Sequence, residues 1–158
     1  MGNEPAGNEP AGDEAVGGLP DRAEVTARLD DLLADGHRPA VFLVAVDGYD
    51  DLVVRDADGA AAAVQETARR LDRLVRNSDV LGTSGPGTFI LVGSEVEPTV
   101  AGSLVERIQG AAALPVDVAG EPVSLRVDIG LAFATSECSG AALLDRAGQD
   151  LVRSRRAT

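Results

Sequence analysis

Lysine is missing from this 158-residue chain, and all fourteen of its basic residues are arginines. Set against 26 Asp and Glu, they leave a formal net charge of −12. A nucleic-acid binder draws most of its affinity from neutralised phosphates, so an acidic chain without a basic stripe excludes DNA and RNA as expected partners. Tryptophan is absent too, and aromatic residues make up only 3%. Packing must then come from many small branched side chains rather than from a few large anchors. Cys138 is the single cysteine, which excludes an intrachain disulfide and suits a reducing cytoplasm. The longest apolar run, Ala40 to Val46, is far too short to span a bilayer, and the N-terminus carries acids in place of a basic, then apolar, leader. A cytoplasmic protein without a membrane partner is expected.

What is present is 44% hydrophobic residues, enough to fill one core in one domain of this length. Residues 2 to 16 repeat as GNEPA, GNEPA, GDEAV. That composition buries too little apolar surface to offset ordering entropy, so residues 1–17 are expected to form a disordered acidic tail before a domain over 18–158.

Within the domain, Val25, Leu29, Leu32 and Leu33 follow a helical period, and Asp21 with Glu24 has capping-box spacing, predicting a helix over about 21–35. PAVFLVAVD, 39–47, is a near-continuous apolar run, as for a central strand covered on both faces. GYDDLVVRDADG reads as a connection. Residues 60–76 read as a helix with Arg69, Arg73 and Arg76 on its outer face. VLGTSGPGTFILVG then predicts a hairpin, strands 79–83 and 88–93, with SGPG at its tip. A helix over 98–113, a second antiparallel pair turning at Gly120 and a last helix over 139–155 complete the chain. Helices interleaved with a mostly antiparallel sheet predict an α/β sandwich.

Taken in order, these segments resemble a GGDEF (diguanylate cyclase-like) domain over about 18–156. GLPDR is similar to that family's G-L-P-N-R start, and VAVDGYDDL to its D-x-D-x-F-K segment. Gly85, Pro86, Gly87, Thr88 and Phe89 fall on its signature hairpin. DIGLA resembles its S-I-G-x-A strand, and AGQDLVRSRR its A-D-x-A-L-Y-x-A-K helix. The implied fold is a nucleotidyl-cyclase-like sandwich, a central mixed, mostly antiparallel sheet flanked by helices.

The resemblance also implies chemistry, because joining two GTP molecules requires carboxylate-held divalent metal and a glycine loop that admits the nucleotide. The family's two metal-ligand positions are Ala45 and Gly87 here, its second glycine is Pro86 and its next acid is Thr88. Its Asn-Asp pair falls on Val53 and Val54, and the arginine before the signature is Thr83. From the active site only Asp47 and Arg155, at a phosphate-contacting lysine's position, are kept. A degenerate domain that is not an enzyme, with no catalytic residue, metal or cofactor, is therefore expected.

A second site is implied by the family's R-x-x-D product site. Arg76-Asn77-Ser78-Asp79 precedes Gly85 by the family's five residues, and Arg107 holds the position of a further family arginine. Cyclic di-GMP is the ligand so implied: arginine offers a planar fork to guanine O6 and N7, and aspartate accepts from N1 and N2. Arg73 and Arg69 would add positive potential. The plain alternatives are that Asp79 caps a strand, Arg76 complements a helix dipole and Arg107 is solvated. Beside a cyclic di-GMP receptor working as a homodimer or with a protein partner stand a nucleotide-independent interaction module and a GTP-binding regulator.

Overall fold

The computed structural model describes residues 18–156, so the expected tail at 1–17 lies outside the described residues. Helix α1 (Arg22–Ala34) opens with the predicted capping box, Glu24 N donating to Asp21 Oδ1 and Asp21 N to Glu24 Oε1, each at 2.9 Å. Strand β1 (Ala40–Val46) is buried at all seven positions, as a strand covered on both faces must be. Two helices follow, α2 (Tyr49–Arg55) and α3 (Ala57–Asp72). Strands β2 (Val80–Thr83) and β3 (Thr88–Gly93) form the hairpin, and α4 (Pro98–Ala113) starts with proline in its first turn. The short strands β4 (Val116–Val118) and β5 (Glu121–Val123) precede β6 (Val127–Phe133) and α5 (Gly140–Arg156).

The main sheet has the order β2-β3-β1-β6, and every pairing in it is antiparallel. Alternate β1 residues face opposite layers. Phe42 and Val44 pack with Leu52, Val64, Leu71 and Ile108, which places α2, α3 and α4 on one face. Val41 and Leu43 pack with Val25, Leu29, Leu143 and Leu144, which places α1 and α5 on the other. The molecule is an α/β sandwich around an antiparallel sheet.

Three local expectations are corrected. The stretch after β1 is not a connection: Gly48, at φ 73°, turns the chain directly into α2. Helix α3 spans 57–72 rather than 60–76, because Leu74 N and Val75 N bond three residues back and close it into a turn, so Arg76 lies beyond the helix. Strand β6 does not extend the second hairpin; β4 and β5 pair only with each other, and β6 joins β1.

Two contacts shut the outer edge of β6. Leu131 N donates to Asp150 Oδ2 at 2.8 Å, and Arg146 donates to Phe133 O at 2.9 Å, both from α5. Backbone groups that would otherwise offer a pairing edge are thereby satisfied. Helix α5 comes this close because Gly130 has no Cβ, which would lie 2.6 Å from Leu151 N. Among the described residues no helix is long and apolar enough to cross a membrane.

Candidate functional site

The hairpin tip is held by its own hydroxyl and by two left-handed glycines. Thr83 Oγ1 lies 3.0 Å from Gly85 O and 3.2 Å from Thr88 O, and Ser84 N donates to Thr88 O. Gly85 and Gly87 have φ of 92° and 75°, a region that disfavours residues with a Cβ. Pro86 stands between them, and Phe89 turns into the core at 1% exposure. Val46 N donates to Gly87 O at 2.8 Å, fixing the tip beside the end of β1.

An open cleft of 560 Å³ lies there, lined by Val46 to Asp51, Pro86 to Thr88 and Arg155. The metal-ligand pair implied by resemblance does not fit it. Ala45 is 2% exposed and carries only a methyl group. A Cβ on Gly87 would lie 2.7 Å from the ring of Tyr49, so the second position has no room for a carboxylate. Among the described residues no three His, Cys, Asp or Glu side chains are grouped to hold a metal ion. Carboxylates are nonetheless present around the cleft. Asp47, Asp50 and Asp51 line it, and Asp128 stands directly across from Ala45 in the register of β6 on β1. Arg155 Nε donates to Asp128 Oδ2 at 3.1 Å, so the cleft's arginine is positioned by that pair. Asp128 and Tyr49 are the site residues that sequence reading missed. The signal for the first was the acid in DIGLA, where the resemblance has serine.

The R-x-x-D segment forms one turn between α3 and β2. Arg76 N donates to Asp79 Oδ2 at 3.0 Å, and Ser94 N donates to Asp79 Oδ1 at 3.1 Å. The Arg76 side chain is exposed. Arg107 is exposed on α4, which packs against α3 on the same face of the sheet. Arg73, also exposed, closes α3 as its C-cap. Arg69 differs from its expected role, because Nη2 lies 2.7 Å from Glu66 Oε1 and its charge is matched locally. The Arg69 hydrogen bond, helped by the Arg69 and Arg70 charges, holds the Glu66 carboxyl below its ordinary range.

Residues 14–158 match the family model described as "Diguanylate cyclase, GGDEF domain". The chain is 30% identical over 146 residues to Diguanylate cyclase DgcP of Pseudomonas aeruginosa, covering 89% of this chain and 22% of that protein. It thus spans about a fifth of the length of that curated relative. Among solved structures, the diguanylate cyclase SiaD of P. aeruginosa, in complex with its activator SiaC, superposes with a TM-score of 0.82 at 23% identity. That match covers 89% of this chain and 56% of that one. The GGDEF domain of DgcB from Caulobacter crescentus, in complex with c-di-GMP, has a TM-score of 0.82 at 17% identity, covering 88% and 84%. At these identities both show the shared fold.

These matches overturn the expectation that the chain is not an enzyme. The matched family and its curated relative are named for an enzyme, and the substitutions at 45 and 87 do not empty the cleft of acids, since Asp47, Asp50 and Asp51 line it.

Proposed function

Because the chain belongs to the diguanylate cyclase GGDEF domain family, we propose that it is a cytoplasmic cyclic di-GMP signalling domain that binds the dinucleotide at the Arg76 to Asp79 turn together with Arg107. The observation that carries this reading is the exposed Arg76, held on a turn whose backbone is fixed by Asp79, with Arg107 on the neighbouring helix. Two planar guanidinium groups suit two guanines, each able to bond O6 and N7 or to stack on the base. Their flexible side chains carry the phosphate-neutralising charge that Arg69, matched by Glu66, does not. A second copy of this chain or a protein partner completes the assembly in this reading, as an activator joins SiaD.

The test is equilibrium binding of fluorescently labelled cyclic di-GMP to the wild type, Arg76→Ala and Arg107→Ala. Each substitution is expected to weaken binding by at least about tenfold, the loss of one charge-assisted contact, while thermal melts stay within a few degrees of wild type. Equal affinity in all three proteins refutes the reading.

A further inference from the structure

The hairpin tip that walls the cleft is also bonded to the point where the chain enters the domain. Strand β2 is an outer strand of the sheet, and the residues leading into α1 reach its far edge. Leu19 packs against the core, and Thr83 N, the last amide of β2, donates to Pro20 O at 2.9 Å. The approach is close enough to need glycine at 82, where a Cβ would lie 2.8 Å from Pro20 O and against the side chain of Val25. Arg22, the first residue of α1, then spans two elements: Nη1 donates to Ser84 Oγ at 3.2 Å, and Nη2 lies 3.5 Å from Asp145 Oδ1 on α5. Ser84 in turn closes the tip, its N donating to Thr88 O at 3.0 Å.

We propose that Arg22 is a positioning residue and that residues 19–22 form a latch, through which a displacement of the chain at its entry is passed to the hairpin tip and so to the cleft. The inference concerns the cleft and stands apart from the cyclic di-GMP reading of the Arg76 turn. Thr83 and Ser84 are adjacent, so the backbone bond to one and the side-chain bond to the other act on neighbouring peptide units. Beyond them the tip contains Gly85 and Gly87, whose backbone is permissive, so its position is set by the bonds made to it. The arginine that the resemblance expects just before the signature is Thr83 here, and its hydroxyl is engaged within the tip. The arginine that does reach the tip comes from the entry segment instead. Arginine suits the place because its planar fork serves a hydroxyl and a carboxylate at once, which a lysine ammonium on a flexible stem does not.

The single tyrosine of a chain without tryptophan supplies the readout. Gly87 lies against the Tyr49 ring, so a tip that lifts uncovers this ring to acrylamide. Arg22→Ala and Ser84→Ala are each expected to raise the acrylamide quenching of Tyr49. They should also speed exchange at the Ser84 and Val46 amides, which donate to Thr88 O and Gly87 O, by about three- to tenfold. The double variant should match the single ones, since both remove the same bond. Gly82→Ala acts from the other side: its methyl meets Pro20 O and moves the entry segment off β2 without touching Arg22 or Ser84, and it should raise the quenching in the same way. In every variant the amides of residues 41–44 should exchange as in the wild type, which a general loss of stability would not allow.

Wild-type quenching in Arg22→Ala and Ser84→Ala overturns the positioning role. Additive effects in the double variant overturn it too, since the two residues would then act separately. Wild-type quenching in Gly82→Ala, or faster exchange spread evenly over the domain, overturns the latch.

Discussion

Gly87 shows how much can depend on one missing side chain. Its positive φ and the Tyr49 ring beneath it leave no place for a Cβ. Gly87→Ala is expected to destabilise the fold by about 1–3 kcal/mol through backbone strain and overpacking, read as a lower urea midpoint with an unchanged slope. A wild-type midpoint would mean that Tyr49 swings away freely. Glu66 gives a prediction with a defined sign. Its carboxyl is held below its ordinary range by the Arg69 hydrogen bond, so it adds stability above that range and loses it as pH falls through the lowered value. Stability measured against pH should therefore fall less steeply on the acid side in Glu66→Gln. An unchanged acid limb contradicts this. At this scale the sequence named Asp79 and Arg76 by position, but not that Asp79 faces two amides, since hydrogen-bond partners fifteen residues apart leave no periodic trace.

Among the elements, those with a strong local signal were legible. The capping box at Asp21 and Glu24, the helical period of α1 and the apolar run of β1 each report forces acting within a few residues. Helix α2 was not legible. Seven residues are too few to be helical on their own, its N-cap Gly48 offers no side-chain bond, and Val54 stands 87% exposed, which breaks the amphipathic pattern. The separation of β6 from the second hairpin was equally hidden, because its partner β1 lies some eighty residues earlier. The β4-β5 turn carries its own test. Ala119 and Gly120 have φ of 55° and 82°, the two positive values that a tight hairpin turn requires. Alanine is strained there, and Ala119→Asn is expected to raise stability by up to about 1 kcal/mol, seen as a higher melting temperature. A lower one would show that the turn relaxes in solution.

For the molecule as a whole, composition set the class and topology set the site. A net charge of −12 offers no excess of cations to neutralise nucleic-acid phosphates, and aliphatic residues dominate both layers of the sandwich, with Phe42 and Phe89 as the large side chains of one. Two regions are then brought to the surface, the acid-lined cleft beside the hairpin tip and the arginine turn between α3 and β2. The family resemblance marked both, yet the expectation of no enzyme, drawn from Ala45, Val53, Val54, Thr83, Pro86, Gly87 and Thr88 at the family's active-site positions, is overturned by the match to a family and a relative named for an enzyme, and carboxylates still line the same cleft. The proposal that cyclic di-GMP binds at the turn is tested most directly by where the ligand protects the chain. Hydrogen exchange with and without saturating cyclic di-GMP should show new protection in residues 73–79 and along α4 around Arg107, with the cleft segments 46–51 and 86–88 unchanged. Protection confined to the cleft, or none anywhere, would contradict the account.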